Sequence, residues 1–512
     1  MPVLPPRIRL LLGIAGSLLI VVGSLGVGWL GPGSILRDWL FFSLLRNSRF
    51  AASVCAIFVV VGALLLLLAW ISLGLSLLAT ARSAKRDPDA AARRSSTALS
   101  QVVTSALAWG LPLILTLPMF SRDMFAYVGQ GRLMAAGLNP YTTGMADIPG
   151  WYEIGVDPTW ADSQTPYGPV FVWLEKVAMM ATHAMPTEVT IFLFRLMAVA
   201  GLAMLAYYAW RIAKHRGLNE AGVLWIVAAS PLVLMNFVIA GHNDSLMLGF
   251  IVGGVYYALK DRPILGTIFV TIAIGVKPIA LVALPIIGLI WAGQAAGWGA
   301  VIRRWLAVTG ISVGILALMG WGIGVGFGWI GALSTPTAIS SWYAPANILG
   351  ISIGGLFNVV GLDGGLTQTI VKLALLGVGA SFTTYLMVKR RQADPLWLLV
   401  GAFAGIVLLS PVIHPWYGLW MITFIAIAGV QRRWQIRTVV YATVFFMLIG
   451  LSEPLDLIPR IQIDTMIPVS VIGLAIIGAT TILIAAEYAS RRRFTASGLV
   501  LAAAPLSRVE PS

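Results

Sequence analysis

Asp123 follows a long apolar run (99–120) almost at once, next to Arg122 and with Tyr127 close behind. An ionisable group beside hydrocarbon costs free energy and is kept where it is used. Within hydrogen-bond reach of a hydroxyl, such a carboxylate serves as a general base, taking the proton as the oxygen attacks. The alternative is an interfacial aspartate that pairs with Arg122 or caps the next helical turn. Three other places carry comparable chemistry. Gly241-His242-Asn243-Asp244 is a dense polar tip between two apolar runs. It is suited to orienting sugar hydroxyls or a phosphate, or to making a capped turn. Lys277 lies within an apolar stretch and precedes Pro278; it is either a cation awaiting a phosphate or a side chain snorkelling to the interface. His414-Pro415-Trp416-Tyr417 offers an imidazole to a phosphate oxygen, with a proline that frees backbone groups. Its aromatic pair also suits an interfacial belt.

From Ser121 to Pro169 the chain stays polar and aromatic. Trp151, Tyr152, Trp160 and Tyr167 there, and Trp342 and Tyr343 later, present faces that stack on the apolar side of a pyranose, or a membrane belt. Asp162 and Tyr167 join His242, Asn243, Asp244, Tyr127, Trp342, Trp416 and Tyr417 as candidate sugar or acceptor contacts. The sequence holds no P-loop, no glycine-rich dinucleotide turn and no outward Asp-x-Asp for a nucleotide-sugar metal. A sugar donor used on this face is therefore expected to be lipid-borne. The carboxylates Asp123, Asp157, Asp162 and Asp244 would hold a hard cation if they converged. A lipid phosphate donor does not require one, so neither a metal nor another cofactor is expected.

These residues must be positioned by membrane helices. The 512 residues are 59% hydrophobic and only 11% charged, with a mean hydropathy of +0.90, more apolar surface than a soluble chain can hide. Apolar runs mark about fourteen spans of ~20 residues in an all-α polytopic architecture. The net charge of +14 collects in alternate connections, such as 82–94, 211–216, 389–391 and 432–437. This is the positive-inside pattern: it explains the basicity without a nucleic acid and sets both termini on the cytoplasmic side and Asp123 on the outer one. The single Cys55 excludes a disulfide framework. The expected organisation is a helix pair with a basic linker (1–97), a core with a large outer loop at 121–186 (98–300), further helices with outer loops at 331–366 and 453–466 (301–490), and a cytoplasmic tail (491–512). Val170–Ala184 reads as an amphipathic interfacial helix. The short runs meeting at Lys277-Pro278 read as half-length helices lining a cavity.

Arg122-Asp-Met-Phe-Ala-Tyr-Val-Gly-Gln-Gly131, Gly137-Leu-Asn-Pro-Tyr141 and Thr159-Trp-Ala-Asp-Ser-Gln-Thr-Pro-Tyr-Gly-Pro169 resemble the polyprenol-phosphate-mannose-dependent α-1,6-mannosyltransferases of actinobacterial lipomannan synthesis. Ser230-Pro-Leu-Val-Leu, Gly241-His-Asn-Asp-Ser, Lys277-Pro278, Ser341-Trp342 and His414-Pro-Trp-Tyr417 follow in the same order. The resemblance covers most of residues 100–430. It departs at Ala161, where a basic residue is expected, and at Asp244, where a glutamate is expected. It implies a GT-C glycosyltransferase fold with Asp123 as catalytic base and polyprenyl-phosphate-mannose as donor. The acceptor it implies is a mannan or lipomannan glycolipid on the outer face of the plasma membrane. An acceptor hydroxyl would invert the anomeric centre of the β-linked donor, and Lys277, His414 and Arg122 would bind the departing phosphate. Transfer of another polyprenyl-phosphate sugar such as arabinose, another mannose linkage, or transport of a lipid-linked sugar are the competing readings.

Overall fold

The computed structural model describes residues 4–84, 88–331 and 340–452. Among these residues the chain is helical, with no strand. α1 (Pro6–Val27) and α3 (Arg49–Ala84), linked through the short α2 (Leu40–Asn47), run antiparallel and touch backbone to backbone. A Cβ on Gly16 would lie 2.6 Å from the Gly62 carbonyl, and one on Gly62 2.5 Å from the Gly16 carbonyl. Small residues permit this approach, and packing of this kind holds helices together where lipid supplies no hydrophobic drive. α4 (Pro88–Leu113) packs on the pair. α5 (Asp123–Ala135), α6 (Trp151–Ile154) and α7 (Pro169–Thr182) build the loop expected at 121–186. α7 is two-faced as expected of the Val170–Ala184 segment: Phe171, Val172 and Ala178 are buried, whereas Trp173, Val177 and Met180 are exposed.

α8 (Thr187–His215) returns across the bundle. α9 (Glu220–Val227) and α10 (Pro231–Val233) are separated by a 41° bend, and α10 runs into a π-helical turn, Leu234–Ile239. α11 (Asp244–Leu259) and α12 (Pro263–Val276) form a hairpin against α8. The chain then passes through an extended Lys277 and a 3-10 turn, Pro278–Ala283, into α13 (Leu284–Ala292). Next come α14 (Trp298–Gly322), α15 (Gly328–Gly331), α16 (Pro345–Val359), α17 (Gly364–Lys389), α18 (Pro395–Leu409), α19 (Tyr417–Ala428) and α20 (Arg433–Ser452). Prolines start many of these helices because the ring fixes φ and its missing N–H is not needed in a first turn.

Six helices of the described residues are long and apolar enough to cross a membrane, seven if the bent α9–α10 pair is one span. The expectation of about fourteen spans counted runs that the structure breaks or shortens. The run 99–120 ends as helix at Leu113, and α11, α12, α16, α18 and α19 have only 12–16 residues. At 1.5 Å per residue such helices reach about 18–24 Å, short of a ~30 Å hydrocarbon core. The expected span at 467–487, the loop at 453–466 and the tail at 491–512 lie outside the described residues.

Arg195, buried on α8, ties the ends of two elements together. Its guanidinium donates to the carbonyls of Ile114 and Thr116 beyond α4 and, at 3.0 Å, to Ile239 at the end of the π turn. These carbonyls have no helical partner of their own and little water to replace one. Arg195→Met keeps the length and removes the donors. It is expected to cost about 3 kcal/mol, read as a lowered unfolding midpoint of the detergent-purified protein; an unchanged midpoint would show the clamp to be dispensable.

Candidate active site

The chain leaves α4 through Phe120, a non-glycine residue with φ 67°. That left-handed backbone is disfavoured for a bulky side chain and turns the chain sharply into Ser121-Arg122-Asp123. The Ser121 hydroxyl accepts from the Asp123 N–H at 3.1 Å, and Asp123 becomes the first residue of α5. A carboxylate there lies against the positive end of the helix dipole. Opposite, the π turn ends in Gly241, with φ 65°. A Cβ at that position would fall 2.4 Å from Met124 Sδ, so glycine both supplies the turn and lets it press against the residue after Asp123.

The turn delivers His242 to Asp123. Its Nδ1 lies 3.1 Å from Asp123 Oδ2, and a carboxylate acceptor requires the proton on Nδ1. The His242 side chain is fully buried and that of Asp123 22% exposed. His242 stacks on Trp416 with centroids 3.7 Å apart, and Trp416 stacks in turn on His414 at 4.4 Å. The Tyr167 hydroxyl also donates to Asp123 Oδ2, at 3.4 Å. Both of these partners use one oxygen, and among the described residues Oδ1 accepts no hydrogen bond, leaving it for an incoming group. Burial alone would raise the Asp123 carboxyl, but the charge and hydrogen bond of His242, with Lys277 beyond, outweigh it and hold the group well below the usual carboxylate range. Burial and the Asp123 charge push the Tyr167 phenol upward, so it remains a donor. Burial lowers the His414 imidazole to about 4, so it is neutral at pH 7.

Lys277 enters the same cluster from the break between α12 and the 3-10 turn. Its Nζ lies 2.7 Å from Asp244 Oδ2 and faces the rings of Tyr167, Tyr417 and Trp420 at 5.6–5.8 Å. Trp420 Nε1–H donates to Asp244 Oδ1 at 2.7 Å. Asp244 is thus fully buried with both oxygens engaged, while Lys277 keeps 12% of its side chain exposed.

Several expected contacts are placed elsewhere. His242, Asn243 and Asp244, read as sugar contacts, are buried behind the exposed groups: His242 Nδ1 and both Asp244 oxygens meet protein partners, while His242 Nε2 and the Asn243 side-chain amide are buried without a hydrogen bond. Asn243 donates its N–H to the Tyr127 hydroxyl at 3.3 Å, and Tyr127 is itself buried edge-on against Tyr167, Phe171 and Phe194. Arg122, read as a phosphate ligand, donates to the carbonyls of Gly155 and Val156, pairs with Asp157 at 3.7 Å and lies over Trp29. Its donors brace the loop. Asp162 is exposed on the loop surface, and Trp342 packs edge-on against Tyr343. Asp123, Lys277, His414, Tyr167, Trp416 and Tyr417 do converge. Trp420 was not singled out from the sequence; its place one helical turn after Tyr417 was the available signal. Among the described residues no three His, Cys, Asp or Glu side chains come together in a metal-binding group.

The cluster thus holds an ionised carboxylate with a free oxygen for a proton, beside an ammonium and a neutral imidazole that can meet an anion. The Lys277–Asp244 pair is mutually dependent. Asp244→Asn leaves the ammonium without its counter-charge and is expected to cost about 3 kcal/mol, whereas Asp244→Asn with Lys277→Met recovers most of it. Unfolding midpoints of the three proteins check this; a double variant as unstable as the single one would refute the pairing as the cause.

Residues 10–293 match the family described as alpha-(1->6)-mannopyranosyltransferase, N-terminal domain, and residues 346–485 match the MptB C-terminal domain. The alpha-(1->6)-mannopyranosyltransferase A of Mycobacterium tuberculosis is 31% identical over 435 residues, covering 82% of this chain and 80% of its own. The protein of the same name from Corynebacterium glutamicum is 28% identical over 459 residues, covering 84% and 90%. No solved structure matches. With the family match running through Asp123, His242, Asp244 and Lys277, the chain is a glycosyltransferase and belongs to the alpha-(1->6)-mannopyranosyltransferase family.

Proposed function

We propose that this protein transfers mannose from polyprenyl-phosphate-mannose to a growing α-1,6-mannan or lipomannan acceptor, with inversion, at the outer face of the plasma membrane. The observation that carries the reading is Asp123: an ionised carboxylate held by His242 and Tyr167 through Oδ2, with Oδ1 open and Lys277 close by. The acceptor hydroxyl attacks the anomeric carbon and its proton passes to Oδ1, while the bond from that carbon to the phosphate oxygen breaks. Polyprenyl phosphate leaves with the bonding pair. That leaving group is already acidic, so stabilising its growing negative charge matters more than protonating it. Lys277 and His414 are the groups placed to do so, and no metal or cofactor is called on. Half-buried Tyr417 supplies an aromatic surface beside the site for a sugar ring, whereas Trp416 is buried and stacked on His242 and His414 and backs the imidazoles. The side assignment rests on the distribution of Lys and Arg along the chain, and the GT-C architecture is supported by the all-helical fold with its acidic residue at the start of the large loop.

Asp123→Asn keeps the size and the hydrogen bond from Tyr167 but cannot take a proton. It is expected to bind donor as the wild type does and to lower kcat about 10²–10⁴-fold, measured with radiolabelled polyprenyl-phosphate-mannose and a short α-1,6-mannoside. Near-normal turnover would remove Asp123 as the base. A second test uses pH. The depressed carboxyl stays ionised through the mildly acidic range, so acidification should not disable the wild-type base there. His242→Gln removes the main lowering influence, and the acid limb of kcat is expected to move to higher pH. A limb that stays in place would refute the coupling.

A further inference from the structure

On the flank of α5 and α7 remote from Asp123 lies a cavity of about 480 Å³ lined by Arg132, Met179, Met180, His183, Met185 and Thr187 among others. Arg132 is the notable member. Its Nη2 donates to Thr187 Oγ1 at 3.3 Å, and among the described residues no carboxylate stands within ion-pair distance of it. The nearest acid in sequence to this wall, Glu188, accepts instead from Ser34 on the other side of α8. Thr187, accepting from Arg132, keeps its own O–H to donate. A guanidinium with free donors next to a hydroxyl matches the oxygens of a phosphate.

The surroundings define what carries that phosphate. The outward stripe of α7, Trp173, Val177 and Met180, is exposed and apolar and runs to the cavity's edge, where Met185 continues it. The one carboxylate of α7, Glu175, is wholly buried, so α7 carries no exposed acid, and half-buried Lys176 adds a cation. An apolar stripe that ends in a cationic, hydroxyl-bearing cavity has the two-part chemistry of an anionic amphiphile.

We propose that this cavity binds the anionic phosphate headgroup of a membrane lipid whose chains lie along Trp173, Val177 and Met180. It is a second lipid, not the sugar donor: Arg132 lies about 14 Å along α5 from Asp123 at ~1.5 Å per residue. The site holds the C-terminal end of α5 and the end of α7 against the bilayer, and so fixes the height of the Asp123 end of the same helix.

The test uses the full-length protein in nanodiscs containing a photoactivatable phosphatidylglycerol, with labelled peptides mapped by mass spectrometry. Labelling of the 173–190 segment is expected in the wild type. In Arg132→Gln it should fall about fivefold, the effect of one cation at a lipid surface. His183→Glu, an exposed position where a carboxylate would repel the headgroup, should lower it similarly and decides the matter if Arg132→Gln does not fold. Unlabelled phosphatidylglycerol should compete, whereas diacylglycerol and inorganic phosphate should not. Undiminished labelling in the folded variants overturns the site. Equal competition by diacylglycerol reduces it to apolar adhesion and overturns the headgroup assignment, and displacement by inorganic phosphate overturns the lipid in favour of a soluble anion.

Discussion

A carboxylate largely withdrawn from water stays ionised only if protein groups replace the solvation it has lost. Asp123 meets that condition through one oxygen, and the fold around it is arranged accordingly. The left-handed Phe120 brings the residue out of α4, and α5 presents its positive end. The π turn and Gly241 carry His242 across a sequence separation of 119 residues to meet it. Trp416, from the far end of the chain, closes the back of the imidazole. None of these features is favourable alone: a left-handed phenylalanine, a π turn and a fully buried histidine each cost free energy. They persist together because they serve one charge.

Lys277 and Asp244 form a second such pair beside the first, and the two differ in use. Asp244 has both oxygens engaged and no exposed surface, so it holds the lysine in place and cannot be reached by another ligand. Asp123 keeps an oxygen free. Each aspartate accepts two side-chain hydrogen bonds, and what separates them is how the bonds are shared and how much surface is left: Asp123 takes both on Oδ2 and stays partly exposed, whereas Asp244 takes one on each oxygen and is fully buried. The helix breaks at Val276 and Ala240 are what allow charged side chains to reach this depth while their backbone groups remain bonded.

Much of this was legible in the residues. Pro278 and Pro415 mark where apolar runs cannot continue as helix, and both breaks lie where the cluster forms. Asp123, Lys277 and His414 were visible as ionisable groups against hydrocarbon. Their partners were harder to see. A His-Asn-Asp tip at a loop reads as exposed, yet it folds inward, because the groups that satisfy it lie 33 and 176 residues from Asp244 and periodicity carries no such information. Arg122 adjoins Asp123 in sequence, but the first turn of α5 sends it toward the carbonyls of Gly155 and Val156. Spans are hard to count from sequence for a related reason: an apolar run records burial, and burial against other helices looks the same as burial in lipid.

Trp70 on α3 and Trp225 on α9 stack at 4.5 Å, each indole N–H donating to the other's backbone carbonyl. This clasp joins the N-terminal pair to the core across 155 residues, and it has a meaning for biogenesis. At about 5–20 residues per second, the first helices enter the bilayer roughly 8–30 s before Trp225 has been made. Throughout that interval an indole N–H and a helix face shaped for α9 have no partner within the chain. During synthesis the early helices must be accompanied by the insertion machinery or by lipid, until the core arrives to take that place.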